Sequence, residues 1–150
     1  MMNRVLLGSI VALALNVAGI SVSYAAESAT ASTATSQKSR LVFQVSDNDP
    51  GKWNLTLNNA NNVQKDVGAS NVDIEIVVYG PGIGMLKADS VAANRVNDAL
   101  ASGVKVVACE NTMQAQKLAK SDMMSNIGYV KAGVTEIMQR QQEGWAYIKP

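Results

Sequence analysis

The sequence predicts an α/β fold, in which a mostly parallel sheet of five strands is covered by helices on both faces. Short runs rich in Val and Ile alternate with segments in which apolar residues recur every three or four positions. Clusters of Gly, Pro, Asp and Ser separate the two kinds of segment. Strands that alternate with helices pair in parallel, because each crossover helix packs on a face of the sheet.

The first strand and the first helix are predicted from residues 41–67. Residues 41–45 form a short apolar run rich in β-formers, which ends at a polar turn. Asp49 is expected to be the N-cap of the helix, with Pro50 at its first position. An apolar stripe at spacings of four and three predicts a helix that Gly68 ends. The stripe consists of Trp53, Leu57, Ala60, Val63 and Val67.

The second strand and the second helix are separated by a glycine-spaced loop. Residues 72–79 predict the strand, and the loop GPGIG follows at residues 80–84. Ser90 is expected to cap the helix, which Gly103 ends. The core face of this helix is predicted to hold Ala92, Val96, Ala99 and Leu100.

Three further strands and two helices complete the predicted domain. The strands are expected at residues 104–109, 127–130 and 145–148. A short helix is expected after Thr112, and a last helix before Gly144. The inner face of the last helix is predicted to be formed by Val134, Ile137 and Met138.

Residues 1–25 are predicted to be a secretory signal peptide that is cleaved after Ala25. They comprise a basic start at Arg4, a long apolar run and small residues before the cut. The alternative is a permanent membrane anchor, because the run approaches the ~18 apolar residues that a spanning helix needs. Residues 26–40, rich in Ala, Ser and Thr, are predicted to be a disordered linker. The domain is therefore expected at residues 41–150, in the periplasm and free of the membrane.

Composition excludes several classes of function. Thirteen Lys and Arg residues are balanced by twelve Asp and Glu residues, without a basic run, which argues against a nucleic-acid surface. The absence of histidine excludes Ser-His and Cys-His catalysis and zinc sites that use histidine. The single cysteine, Cys109, excludes an intrachain disulfide. We expect no cofactor and no metal.

Cys109 is the candidate nucleophile. It ends the third strand and precedes a short helix, whose dipole and free N–H groups favour a thiolate. If the strand order is 2-1-3-4-5, strand order reverses between strands one and three, which is where such sheets bind ligands. Glu110 opposes the thiolate if its carboxylate points inward. The alternative is that Cys109 is a small buried packing residue.

Loops at the same edge supply the candidate pocket residues. These are Asp47, Asn48, Gly82, Gly84, Glu110, Asn111 and Thr112. A phosphate cradle is disfavoured, because the glycine spacing matches neither the dinucleotide motif nor the P-loop, and a tight turn is the favoured interpretation. Asp47, Asn48 and Asp49 could bind a hard cation, but the glycine and the distal glutamate of a calcium loop are missing. N-capping accounts for Asp49 without a metal.

Three segments together resemble the DsrE/DsrF-like family. They are VVYGPGIGML at residues 77–86, GVKVVACENTM at residues 103–113 and QQEGWAY at residues 141–147. The resemblance covers residues 41–150 and implies a flavodoxin-like three-layer sandwich that forms homotrimers or larger rings. Members that act in sulfur relay carry sulfur as a persulfide on a cysteine, and the position of Cys109 resembles that carrier site.

Two hypotheses of function follow. In the first, Cys109 forms a persulfide or exchanges thiols with a sulfur donor or acceptor protein, and Lys105 or Lys117 assists its deprotonation if either reaches it. In the second, the domain is a non-catalytic oligomeric module that binds a ligand or partner, and Cys109 only packs. Trp145 and Tyr147 could line a subunit contact. An unpaired thiol in an oxidising compartment is expected to be either shielded or kept reactive.

Overall fold

A computed structural model describes residues 38–150 of the chain. The predicted signal peptide at residues 1–25, and the predicted linker as far as residue 37, lie outside the described residues. The first strand begins at Ser39, two residues before the predicted start of the domain. No helix within residues 38–150 is long and apolar enough to cross a membrane.

Strands and helices alternate along the described chain. The strands are β1 (Ser39–Val45), β2 (Val72–Val78), β3 (Lys105–Cys109), β4 (Gly128–Val130) and β5 (Ala146–Ile148). The α-helices are α1 (Pro50–Val67), α2 (Ala93–Ala101), α3 (Glu110–Ala115) and α4 (Gly133–Gln142). Short 3₁₀ segments lie at Ala69–Asn71, Gly80–Leu86 and Lys120–Asp122. This alternation confirms the predicted fold class.

The five-stranded sheet is parallel throughout, with the order β4-β3-β2-β1-β5. The order 2-1-3-4-5 considered from the sequence is wrong. It would place β2 at an edge, whereas Ile74, Ile76 and Val77 of this strand are buried on its two faces. A strand that is apolar on both faces is favoured at the centre of a parallel sheet. The strand order therefore reverses between β1 and β5, and β2 separates β1 from β3.

Helices cover both faces of the sheet. On one face, α1, α2 and α3 enclose a core that includes Phe43 and Ile76. On the other face, Ile137 of α4 packs on Val42 and Val77. Because alternate residues of a strand point to opposite faces, these two layers are built from the two sides of the same strands.

The first helix begins and ends as predicted. Asp49 caps it by accepting a hydrogen bond from the backbone N–H of Gly51 at 2.8 Å, and Pro50 is its first residue. Gly68 follows its last turn with a φ of 87°. Trp53 is buried in the core, as expected from the apolar stripe.

The predicted inner face of α4 is wrong at two of its three positions. Ile137 is buried, whereas Val134 is 63% exposed and Met138 is 49% exposed. The inner strip consists instead of Gly133, Ile137 and Arg140, because Arg140 turns inward to the carboxylate of Glu75 on β2. The charged residue Arg140 thus lies on the inner face of α4, where apolar periodicity predicts Val134 and Met138.

Candidate functional site

Cys109 ends β3 and caps the N-terminus of α3. Its Sγ accepts a hydrogen bond from the backbone N–H of Thr112 at 3.4 Å. The thiol also lies 4.0 Å from the carbonyl oxygen of Lys131, to which it can donate. The residue is 5% exposed. Cys109 shares a strand face with Val107, so its side chain lies on the face that α4 covers.

The pKa of the Cys109 thiol lies below its ordinary value. Burial by itself raises this pKa, because the thiolate loses its hydration. Hydrogen bonds reverse the direction, first from the hydroxyl of Thr112 and then from the backbone N–H groups of Gly133, Thr112 and Asn111. Gly133 is the first residue of α4. The arrangement stabilises the thiolate, which is the nucleophilic form of cysteine.

A close contact between Tyr79 and Gly133 brings the start of α4 down to the sheet. A Cβ atom on residue 133 would lie 3.0 Å from the Cβ and 3.1 Å from the Cδ1 of Tyr79. Val78 pairs with Ala108, so the residues that follow them, Tyr79 and Cys109, are neighbours on one face of the sheet. Glycine at position 133 therefore lets the first N–H of α4 approach the thiol.

Hydrogen-bonded polar side chains form a row that leads from the edge strand to Tyr79. The hydroxyl of Tyr147 on β5 donates to Oε1 of Gln44 at 2.5 Å. Nε2 of Gln44 donates to Oγ of Ser46 at 3.1 Å, and Ser46 hydrogen-bonds to Tyr79. We call Gln44, Ser46, Tyr79 and Tyr147 the polar row. It occupies the carboxyl ends of β1, β2 and β5, beside Cys109.

The pKa of Tyr79 is raised above its ordinary value. Burial is the largest cause, followed by the negative charges that Tyr147, Asp47 and Cys109 carry when ionised. The hydrogen bond with Ser46 acts in the opposite direction. A phenol with a raised pKa is protonated at neutral pH. Tyr79 therefore provides a hydroxyl near Cys109 without adding a negative charge.

Asn111 and Thr112, two of the predicted pocket residues, lie around the thiol. The backbone N–H of Asn111 donates to the carbonyl oxygen of Lys131 at 3.1 Å. Oγ1 of Thr112 accepts from the backbone N–H of Gly80 at 2.9 Å, which joins α3 to the end of β2. Glu110 does not join them, because its carboxylate pairs with Nζ of Lys120 at 3.5 Å.

The remaining predicted pocket residues lie at the end of β1, on the face covered by α1. They are Asp47, Asn48, Gly82 and Gly84. The carboxylate of Asp47 pairs with Lys52 at 2.7 Å. A Cβ atom on Gly82 would lie 2.7 Å from the backbone oxygen of Val45. The glycines thus let the Gly80–Leu86 segment pack closely on the end of β1.

The two lysines considered for deprotonation of Cys109 are not among the main causes of its lowered pKa. Lys105 begins β3, at the other end from the thiol, and its Nζ lies 3.2 Å from Oε1 of Glu75. Lys117 is exposed beyond the end of α3, with a φ of 56°. Within residues 38–150, no group of three or more Cys, Asp or Glu residues could hold a metal ion. The causes that lower the pKa of the Cys109 thiol are hydrogen bonds from Thr112, Gly133 and Asn111.

A family model matches nearly all of the described chain. The model of the DsrE/DsrF-like family matches residues 39–150, which include every strand and helix of the fold. The chain belongs to the DsrE/DsrF-like family. The resemblance carried by the three sequence segments is thereby confirmed. A comparison of this DsrE-like chain with curated proteins finds no match.

Two solved structures are similar to this DsrE-like protein. MTH1491, a protein of unknown function from Methanobacterium thermoautotrophicum, is 34% identical with a TM-score of 0.72, and the match covers 75% of this chain and 100% of that chain. BT1422, a conserved protein of unknown function from Bacteroides thetaiotaomicron, is 14% identical with a TM-score of 0.63, over 78% of this chain and 99% of that chain. The second likeness concerns the fold alone.

Sequence reasoning about this DsrE-like chain does not identify the polar row or Gly133 as site residues. Alternation is the signal that could find Tyr79, because it shares a strand face with Val77 and ends a buried strand before a Gly-Pro turn. Gly133 could also be noticed from the sequence. Glycine next to a helix usually lies just after its C-terminus, whereas Gly133 is the first residue of α4 and needs another explanation.

Proposed function

We propose that this DsrE-like protein is an exported sulfur carrier, in which Cys109 holds sulfur as a persulfide. The observation that carries the proposal is the set of hydrogen bonds on the Sγ of Cys109, which lowers the pKa of the thiol in spite of its burial. Family membership supports the same chemistry, because the sulfur-relay members that the sequence resembles use a cysteine at this position.

Loading transfers one sulfur atom from a persulfide donor, written R–S–SH. The Cys109 thiolate attacks the terminal sulfur, so a bond forms between Sγ and that sulfur while the bond from that sulfur to the R–S sulfur breaks. The R–S⁻ group leaves with the electron pair and takes a proton from water to become R–SH. The protein is left with Cys109–S–SH. Unloading is the same exchange with an acceptor thiolate.

The residues around Cys109 have separate parts in this exchange. The N–H groups of Thr112 and Gly133 stabilise the attacking thiolate, and Tyr79 stays protonated beside it. Because Cys109 is only 5% exposed, we expect a small donor or the tip of a thin chain, rather than a broad protein surface, to reach its Sγ. The same burial would protect a persulfide from bulk solvent.

Intact-mass measurement tests the carrier function. Purified chain 26–150 is incubated with glutathione persulfide, and its mass is then compared with that of Cys109→Ser treated in the same way. We expect the wild type to gain one sulfur atom, the Cys109→Ser variant to gain none, and a reductant to reverse the gain. No gain on the wild type, or an equal gain on the variant, contradicts the proposal.

Export to the periplasm is part of the proposal and has its own test. The signal peptide predicted at residues 1–25 supports it, with small residues before the predicted cut after Ala25. Mass analysis of the periplasmic fraction should find a chain that begins at Ala26. A chain that keeps residues 1–25 in the membrane fraction would instead support an anchor.

We further propose that the chain forms a homotrimer or a multiple of it, as the family resemblance implies. The exposed apolar side chains of Val134, Met138 and Tyr147 lie on α4 and the edge strand β5, where contact with a second copy would cover them. Light scattering should give the mass of three chains or a multiple, and Val134→Lys should reduce it. A monomeric wild type excludes this assembly.

A second candidate function is favoured by the low exposure of the thiol. At 5% exposure, Cys109 could serve as a packing residue of a non-catalytic module that binds a ligand or partner. Alkylation of the native protein separates the two functions. Reaction faster than that of a cysteine peptide at neutral pH favours the carrier, and protection until the chain is denatured favours the binding module.

A further inference from the structure

A fully buried carboxylate lies on the same sheet face as Cys109, outside the chemistry described above. Glu75 of β2 is 0% exposed. Its Oε2 accepts a hydrogen bond from Nε of Arg140 on α4 at 2.5 Å. Its Oε1 has no hydrogen-bond partner within residues 38–150, although Nζ of Lys105 lies 3.2 Å away. Glu75 is therefore paired with two cations, and the one that donates a hydrogen bond to it belongs to the helix that covers it.

Arg140 is itself held on several sides. Its guanidinium pairs with Glu136 at 2.8 Å and with Glu143 at 3.0 Å, and lies 4.9 Å from the ring centroid of Trp145. These contacts restrict the orientation of the guanidinium. The link to Glu75 thus fixes the last turns of α4, rather than a mobile side chain, to the centre of the sheet.

A contribution to folding stability does not by itself explain why Glu75 and Arg140 form a buried ion pair. Removing two charges from water costs several kcal/mol for each ion, and apolar residues of similar volume often replace a buried pair without loss of stability. A buried pair does, however, restrict the geometries that a helix can adopt on a sheet, because a displaced Arg140 would leave Oε2 of Glu75 buried without its hydrogen-bond donor. The pair therefore favours one position of α4 over its alternatives.

The two ends of α4 are connected to the same strand. Arg140 meets Glu75 near one end, and Gly133 meets Tyr79 at the other. Seven helical residues span about 10 Å and four strand residues about 13 Å, so the two contacts bracket most of the helix. A slide or tilt of α4 that breaks the ion pair also moves the N–H of Gly133 relative to Cys109.

We infer that Glu75 and Arg140 are positioning residues for Cys109, which hold α4 where the segment from Lys131 to Gly133 packs against the thiol and Tyr79. The inference rests on the site of the proposed function. It concerns the ionisation of Cys109 and does not require that the thiol carry sulfur.

Direct electrostatic effects on Cys109 can be separated from positioning. The titratable or charged groups on the elements packed around the thiol are Tyr79 after β2, Glu110 on α3, Lys131 before α4 and Glu136 on α4. Of these, Glu136 pairs with Arg140 at 2.8 Å, and Arg140→Lys keeps a cation beside it. A double substitution, Glu75→Gln with Arg140→Met, removes one charge of each sign and keeps the net charge.

The experiment measures the pKa of Cys109 from the pH dependence of its alkylation rate in the folded protein. In the double variant we expect this pKa to rise by about one unit, which corresponds to the loss of one hydrogen bond to a charged group. Arg140→Lys keeps a cation without the planar fork and should give a smaller rise. Circular dichroism and thermal melts establish that each variant is folded.

Two control variants complete the design. Lys105→Met removes the second cation beside Glu75, at 3.2 Å, but leaves the link to α4, and Glu143→Gln removes an exposed partner of Arg140. Both should leave the pKa of Cys109 unchanged. The inference is overturned if the folded double variant keeps the wild-type pKa, or if Lys105→Met raises the pKa as much. If the double variant does not fold, the inference is tested on Arg140→Lys alone. An unchanged pKa of Cys109 in that variant overturns the inference.

The test of the positioning residues can fail or succeed independently of the test of the sulfur carrier. A wild type that gains no sulfur, together with a raised pKa in the double variant, refutes the carrier and retains the positioning residues. The opposite pair of results retains the carrier and refutes the positioning.

Discussion

The Sγ of Cys109 lies 3.4 Å from the backbone nitrogen of Thr112, and the hydroxyl of Thr112 accepts from the N–H of Gly80 at 2.9 Å. One residue therefore contacts the thiol through its backbone and joins α3 to the end of β2 through its side chain. The same hydroxyl is the largest contribution that lowers the pKa of Cys109. Thr112 connects the ionisation of the thiol with the packing of the strand ends.

Removal of the Thr112 hydroxyl should therefore have two effects. In Thr112→Ala we expect a higher pKa of Cys109, and a loss of about 1–2 kcal/mol in the free energy of unfolding because the N–H of Gly80 loses its acceptor. Thr112→Ser keeps the hydroxyl, so its Cys109 pKa and its free energy of unfolding should both remain close to those of the wild type. Alkylation profiles and urea unfolding provide the measurements. Equal pKa values in the Ala and Ser variants would refute the role of the hydroxyl.

The lowered pKa of the Cys109 thiol should make the free energy of unfolding depend on pH. Because the pKa of Cys109 is lower in the folded than in the unfolded chain, the thiolate stabilises the fold above the pKa of the unfolded thiol, about 8.5. This contribution is lost as the pH falls through the folded pKa. The free energy of unfolding of the wild type, relative to Cys109→Ser, should thus rise with pH and level off above that value. A difference that is flat or falls with pH contradicts the lowered pKa.

Gly133→Ala should disturb both the fold and the thiol. The new Cβ would lie 3.0 Å from the Cβ of Tyr79, so the start of α4 must move away from the sheet. We expect a loss of about 1–3 kcal/mol in the free energy of unfolding, as for other overpacked sites. The pKa of Cys109 should rise as the N–H withdraws. Thr135→Ala, an exposed change on the same helix, serves as the control, and an unchanged pKa in Gly133→Ala would exclude the N–H as a partner.

Gly82→Ala should destabilise the fold and leave the thiol unchanged. Its Cβ would lie 2.7 Å from the backbone oxygen of Val45, an atom that cannot rotate away, so we expect a loss of about 1–3 kcal/mol. At Gly84 the nearest atoms belong to the side chains of Asn48 and Trp53, at 3.3 Å and 3.4 Å, so Gly84→Ala should cost less. Chemical denaturation and alkylation rates measure the two effects. A changed alkylation rate in folded Gly82→Ala would place this glycine at the thiol site after all.

Several parts of the site follow from local sequence. Asp49-Pro50 predicts the start of α1 because N-capping depends on adjacent residues, and the placement of Cys109 at a strand end before a helix depends on only a few positions. The sequence also predicts Asn111 and Thr112 as site residues, because they come directly after Cys109 and Glu110 in the chain. The partners contributed by other elements, Tyr79 and Gly133, depend on strand order and on how α4 crosses the sheet.

The surface of α4 illustrates the limit of periodicity. Apolar spacing predicts Val134 and Met138 on the inner face, but both are exposed, because the buried carboxylate of Glu75 draws Arg140 inward and sets the rotation of the helix. An ion pair between residues 65 positions apart leaves no trace in local spacing.

The amino-acid sequence by itself determines the α/β class, the family, the single thiol and its place at the end of β3, because each depends on short-range pattern or on residue identity. Tertiary structure decides the order of the sheet, the placement of Gly82 and Gly84 against the end of β1 and not at the thiol, and the groups that meet the Sγ of Cys109. Burial on both faces places β2 at the centre, which sets Tyr79 beside Cys109, and the packing of α4 on β2 brings Gly133 to the same atom. These contacts join segments far apart in the chain, and their free energy exists only once the sheet and its covering helix have formed.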